Sequence, residues 1–236
     1  MACCDANYYF TWAAVGDYES LPDSSIFANS GLGTALETKS LNLPPSKEMP
    51  STNEKIPYFF VGDEAFPLRN DLMRFYSRKG IKSDRERIFN YRLSRARRII
   101  ENAFGILTSR WRVLCSCICM KPENVEKIVL ATLCLHNFLI MREDCENERK
   151  IYCPTSYVDY EDHDGSVIPG MWRNETTNSN FHNIGCLGCN SATRNAVTQR
   201  NALADWMISE EGQVSWQTQM IHRANHVNFP CLTQSQ

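Results

Sequence analysis

Hydrophobic and polar positions along the chain fall into stretches of clearly different period. Between Asp84 and Leu107 the apolar residues Phe89, Leu93, Ala96, Ile100, Phe104 and Leu107 step by three or four, the stripe of an amphipathic helix. A second helix is predicted from Pro122, a favourable first-turn residue, to about Met141, with Val125, Ile128, Val129, Thr132, Leu135 and Leu139 facing a core. Near the start, residues 2–4 are short and apolar, Asp5-Ala6-Asn7 has turn chemistry, and Tyr8 to Val15 is aromatic and β-branched. This predicts a hairpin ended by Gly16. Asp23 reads as the N-cap of a short helix that runs to about Asn29 and is broken by Ser30-Gly31. Residues 42–57, with four prolines, read as a surface loop, and Ile56 to Val61 as a buried strand stopped by Gly62-Asp63. Residues 143–190 are polar, acidic and weakly periodic, which suggests a long or partly disordered excursion, and a helix from about Ala192 to Met207 precedes a polar tail. The expected organisation is a core over 1–142, the excursion over 143–190 and a C-terminal helix and tail over 191–236.

Composition narrows the class. A chain of 236 residues that is 43% hydrophobic and 22% charged is neither collagen-like nor wholly disordered. The apolar runs fall short of the roughly 20 residues a spanning helix needs, and the first residues lack the pattern of a signal peptide. The expectation is therefore no secretion and no membrane. Without secretion, the 11 cysteines read as reduced thiols. The net charge of -2 conceals an asymmetry: Arg69 to Arg112 carries a balance of +9 and the remainder -11. Such a basic stretch is a footprint for a polyanion, or alternatively a solvated helix face.

The candidate chemistry lies where these features meet. A strand ending in Gly62-Asp63, followed by a basic helix in which Glu101 is the one acid beyond the first turn, is the layout of a metal-dependent phosphodiester site. Hard divalent ions take carboxylate oxygens together with waters and substrate phosphates. Glu101 has a plainer alternative, an ion pair with Arg97 four residues before it.

The segments VGDEAFPL (61–68), LMRFY (72–76), FNYRLSRARRIIENAFGILTSRWRVL (89–114) and LCLHNFL (133–139) resemble the catalytic domain of the PIF/Harbinger transposases and the nucleases derived from them. The resemblance extends upstream through residues 4–33 and, more weakly, downstream through PGMWR (169–173) and EEGQVSWQ (210–217). It implies an α/β, ribonuclease-H-like fold, a mixed sheet flanked by helices. It also implies a DNA-cleaving site that uses Mg2+ or Mn2+. Asp63 matches the family's Gly-Asp acid, Glu101 the helical glutamate of its Ile-Glu-x-x-Phe-Gly motif, and Asp23 an aspartate also associated with metal, although an N-cap role explains Asp23 equally well. Asp5 is set aside, because the family has a strand-to-strand turn at that point. The family's first catalytic aspartate belongs to an Asp-Gly-x-His segment on the first strand, upstream of where this sequence starts. That leaves open a partial chain, or a relic keeping the scaffold without the activity. Glu19 and Phe75 are minor departures from the usual glycine and proline. The resemblance further implies residence in the nucleus, with the cytoplasm as a second location, and a separate Myb-like DNA-binding partner.

Arg92, Arg95, Arg97 and Arg98 recur at helical spacing and are expected to neutralise DNA phosphates, with Arg110 and Arg112 extending the track and Trp111 packed in the core. An alternative function is a catalytically silent DNA- or protein-binding module. A zinc-stabilised interaction protein is a third, with His182, Cys186 and Cys189 as ligands and Cys153, His163 or Cys231 as the fourth. Cys115, Cys117 and Cys119 alternate as one face of a short strand would. His136 and Asn137 read as buried polar residues satisfied by neighbouring backbone.

Overall fold

The computed structural model describes residues 1–17, 21–146, 152–175 and 192–226. Among them the strands are β1 (Ala2–Cys4), β2 (Phe10–Ala13), β3 (Lys47–Glu48), β4 (Lys55–Ile56), β5 (Phe60–Val61), β6 (Leu72–Met73), β7 (Tyr160–Glu161) and β8 (Val167–Ile168). The helices are α1 (Asp23–Asn29), α2 (Gly31–Glu37), α3 (Asp84–Arg110), α4 (Pro122–Glu146), α5 (Trp172–Glu175), α6 (Arg194–Trp206) and α7 (Gln217–His226). The chain is therefore a mixture of α and β. In place of one mixed sheet, the described strands form four two-stranded pairs, with β5–β6 parallel and the other three antiparallel. Two compact units divide the chain, residues 1–19 with 98–182 and residues 20–97 with 183–236, so α3 contributes to both.

In the first unit the β1–β2 hairpin is set by its turn. The Asp5 carboxylate accepts the N–H groups of Asn7 and Tyr9, each at 2.9 Å, and Tyr8 takes a left-handed φ of 70°. The hairpin is joined to α4 by two side chains. Asn137 accepts the Phe10 N–H and donates to the Phe10 carbonyl, both at 2.8 Å. His136, fully buried, lies 3.0 Å from the Tyr8 carbonyl through Nε2 and 2.8 Å from the Tyr152 hydroxyl through Nδ1. Because a carbonyl only accepts, Nε2 carries the proton and Nδ1 receives the tyrosine O–H. The expectation of a satisfied core pair holds. Phe10, Ala103, Leu107 and Leu133 form one apolar cluster and Ile106, Ile140, Tyr152, Tyr157 and Val158 another.

The buried face of α4 is rotated from the one the sequence suggests. Thr132, Leu133, His136 and Ile140 are covered, whereas Leu130, Leu135, Phe138 and Met141 are exposed. Pro122–Glu143 is long and apolar enough to cross a membrane, with a mean hydropathy of 1.3, yet its His136 and Asn137 are committed to the hairpin. The weakly periodic stretch is folded over residues 152–175. Tyr152, Tyr157, Val158 and Asp159 are buried there, and β7–β8 turns at Gly165, whose φ is 75°. Cys115 ends a 3-10 turn, and Cys117 and Cys119 follow it in irregular backbone, all exposed, rather than lining a strand.

The second unit is centred on Phe89 and Leu93 of α3, which pack with Leu68, Met73 and Tyr76 and with Ala196, Leu203, Ala204 and Met207 of α6 and the residues after it. Ser83 and Glu86 start α3 in the manner of a capping box: Ser83 Oγ accepts the Glu86 N–H, and the Glu86 carboxylate reaches back to the Lys82 N–H at 2.7 Å. The proline-rich segment is more than a surface loop, since β3 and β4 pair across it and buried Met49 joins the core. The predicted buried strand is shorter and only half-buried, because Pro57, Tyr58 and Phe59 separate β4 from β5. The polar tail contains α7, anchored by Met220 and Ile221.

Candidate functional site

Asp63 follows β5 directly after Gly62, whose N–H bonds the Met73 carbonyl at 2.9 Å and extends the parallel pairing by one step. The Asp63 carboxylate accepts the Ala65 N–H at 2.8 Å, so strand and turn both fix it. Asp23, at the start of α1, is near enough to feel the charge of Asp63. One turn later on the same helix face, buried Phe27 meets Phe66 edge-on, with 5.6 Å between ring centroids. Asp23 is the first helical residue rather than the cap. Pro22 occupies the cap position, and no side-chain bond closes it. The capping explanation for Asp23 therefore lapses. Although Asp23 is largely exposed, partial desolvation and then the charge of Asp63 raise its pKa. The chain turns back after α1 because Ser30 ends that helix and caps α2, and because a Cβ on Gly33 would run into the Phe27 carbonyl.

Two neighbouring carboxylates that repel one another are a donor set suited to a hard divalent cation, which takes oxygen ligands from one or two carboxylates plus water and phosphate. Among the described residues no three of His, Cys, Asp or Glu are grouped to hold a metal on their own. His182, Cys186, Cys189 and Cys231 lie outside the described residues.

Glu101 belongs to the other unit, within α3, and does not stand alone there. Its carboxylate is 3.8 Å from Arg173, which in turn grips Asp159. The Asp159 side chain is wholly buried. It accepts the Gly170 N–H at 2.8 Å and Arg173 Nε at 2.9 Å, with a further bond from the other guanidinium nitrogen. Burial alone would raise its pKa, but the Arg173 bonds and the Gly170 N–H outweigh it and hold the pKa below the usual carboxylate value. The backbone of Asp159 is clamped by Asn102, which exchanges two 3.1 Å bonds with it while accepting the Trp172 indole N–H. Gly105 completes this seat, since a Cβ there would meet Trp172 ring atoms at 2.7 Å. Asn102, Gly105, Asp159, Trp172 and Arg173 were not singled out from the sequence. The signal available was the 101, 102, 105 spacing, one helix face, together with the resemblance at residues 169–173.

The arginines are engaged by the fold. Arg92 donates to the Gly212 carbonyl at 3.0 Å and to Gln217 Oε1 at 3.2 Å, and burial lowers its pKa. Arg95 lies over the rings of Tyr91 and Trp216. Arg98 pairs with Glu161 at 2.9 Å, both mostly buried, and Arg97 is half-buried with a partner of its own. Arg112 is exposed, 3.8 Å from Glu175. Trp111 packs against the Phe10 cluster, as expected, and donates to the Tyr152 hydroxyl.

Comparison with known proteins adds three findings. The model of a family described as DDE superfamily endonuclease matches residues 1–137. A protein named ALP1-like from Arabidopsis thaliana is 30% identical over 144 residues, which is 61% of this chain and 35% of that protein, so the chain spans about a third of its relative's length. No solved structure matches.

Proposed function

The chain belongs to the DDE superfamily endonucleases, and on that premise we propose that it is a nuclease domain of Harbinger-transposase descent that cleaves DNA phosphodiester bonds with a divalent cation, Mg2+ or Mn2+. The observation that carries this reading is Asp63, an acid fixed by its own turn at the end of a parallel strand pair, with Asp23 near enough to feel its charge. A bound cation would offset that repulsion, polarise a phosphoryl oxygen and acidify a water. Asp63 supplies the fixed oxygen, held by strand and turn, and Asp23 the second, delivered by α1. Glu101 is assigned as the third acidic group of the reaction. A ribonuclease-H-like arrangement is part of the proposal, supported by a parallel strand pair whose end carries the acid.

Nicking of supercoiled DNA in Mn2+ tests it. Wild type should nick only with the cation, and Asp63→Asn and Glu101→Gln should fall to background. A wild type that binds DNA but never nicks it supports the second reading, a silent binding module. That reading is favoured by the lack, among the described residues, of three grouped ligands. DNA contact by the basic helix is tested separately. Arg95→Ala with Arg97→Ala should reduce the slope of log affinity against log salt by about 2, at roughly 0.9 per phosphate contact. An unchanged slope assigns the helix a structural role.

A further inference from the structure

We propose that α4 is a self-association surface, whose outward apolar face packs antiparallel against the same face of a second copy of this chain. A surface helix ordinarily buries its apolar stripe and turns charge to solvent. α4, which lies within the first unit, does the reverse. His136 and Asn137 are committed to the β1–β2 hairpin and Leu133 and Ile140 are buried, while Leu130, Leu135, Phe138 and Met141 are 44 to 48% exposed. Lys127, Leu130, Cys134, Phe138 and Met141, all exposed, step by three or four, so they form one stripe along the helix. Scattered apolar residues on a surface mean little, but a continuous stripe marks a contact. A large side chain presents roughly 150–250 Å², so four of them nearly half uncovered leave on the order of 400 Å² of apolar surface, the size at which a patch on a monomer is commonly functional. Doubled across a two-fold axis and extended by Cys134 and the stem of Lys127, the face approaches the roughly 1,200 Å² at which specific interfaces begin. The ends of the stripe select the arrangement. Exposed Glu123 closes it on the N-terminal side and exposed Arg142 on the C-terminal side. Antiparallel copies bring Glu123 to Arg142 at both ends, whereas parallel copies set Glu123 against Glu123 and Lys127 against Lys127.

Sedimentation equilibrium of the full chain, in reductant so that the exposed Cys134 thiol adds no covalent link, tests the pairing without reference to DNA cleavage. Wild type should show a monomer–dimer equilibrium with a dissociation constant on the order of micromolar, as befits an interface at the small end of the range. Leu130→Glu with Phe138→Glu places like charges across the axis and should leave a monomer whose circular dichroism matches wild type, because both side chains are exposed. Leu130→Ala with Phe138→Ala removes apolar area and adds no charge. It should weaken the dimer at least about tenfold, and it decides the matter if the charged variant fails to fold. Glu123→Arg should weaken the dimer about three- to tenfold by facing Arg142. In a parallel pair the same change exchanges one like-charge contact for another, so an unaltered constant overturns the antiparallel arrangement. A wild type that stays monomeric at about 100 μM overturns self-association. A dimer that survives both double variants uses another surface and overturns it equally. A monomeric wild type that floats with phosphatidylserine vesicles, where the same variants do not, assigns the face to a lipid surface instead.

Discussion

The two acidic centres of this chain are built on opposite electrostatic plans. Asp159 is buried and answered at once by Arg173 and the Gly170 N–H, so its pKa is lowered in spite of desolvation. Asp23 and Asp63 stand together with no Lys or Arg paired to either among the described residues, and the pKa of Asp23 rises. A carboxylate that serves stability carries its countercharge within the fold. Asp23 instead meets a neighbouring like charge that outweighs the smaller opposing pull of a positive one. Glu101 sits between these plans. It lies near a cation that Asp159 has already claimed.

The sharpest way to break the comparison is to remove a single charge from each centre. Arg173→Ala should destabilise the protein by about 3–5 kcal/mol in denaturant unfolding, because it leaves Asp159 buried and unpaired. Asp63→Asn should stay within about 0.5 kcal/mol of wild type. Equal losses would show that the two centres do not differ. Next in size is the cation itself. Mn2+ at 100 times its dissociation constant should add about 2.7 kcal/mol to wild type and nothing to Asp63→Asn. Equal stabilisation of the two would place the ion elsewhere. A smaller effect is expected at the seat of the Arg173 segment. Gly105→Ala drives a methyl into the Trp172 ring, a strain of about 1–3 kcal/mol, against a helix-propensity gain of about 1. A stabilised variant would mean that Trp172 is not held there.

Much of this architecture is legible in the sequence, and the parts that are not have physical reasons. The hairpin, α3 and the start of α4 follow from turn chemistry, helical spacing and a first-turn proline, and each is present. The stripe on α3 holds at Phe89, Leu93 and Leu107 but moves from Phe104 to Ala103, because the helix serves one core and then a second. The rotation of α4 was hidden because it is apolar nearly all round, so periodicity could not select a face. Residues 152–175 looked unstructured because Asp159, Glu161 and Arg173 are polar, and sequence alone does not reveal that Arg173 and Arg98 would neutralise those acids in place. Asp23 illustrates the reverse error. Its position before an apolar turn suggested a cap, and one residue of register changes that meaning.

The smallest effect carries the clearest sign. A carboxylate whose folded pKa is lowered, as for Asp159, contributes stability that is present above its unfolded value of about 3.9 and is lost as pH falls through the folded one. Asp23 runs the other way. Its folded pKa is raised, so the folded state holds the proton more tightly than the unfolded chain, and stability declines as pH climbs from about 3.9 through the raised value. Asp23→Asn should therefore be more stable than wild type at pH 7, by a few tenths of a kcal/mol for so exposed a group. The gain should vanish by about pH 3.5, where wild-type Asp23 is itself protonated. Saturating Mn2+ should reverse the order at pH 7, since wild type then gains a ligand that the variant holds less well. Urea unfolding at the two pH values, with and without the cation, measures all of this. A variant less stable than wild type at pH 7 without metal would mean that Asp23 is part of the scaffold, and the contrast between the two acidic centres would be gone.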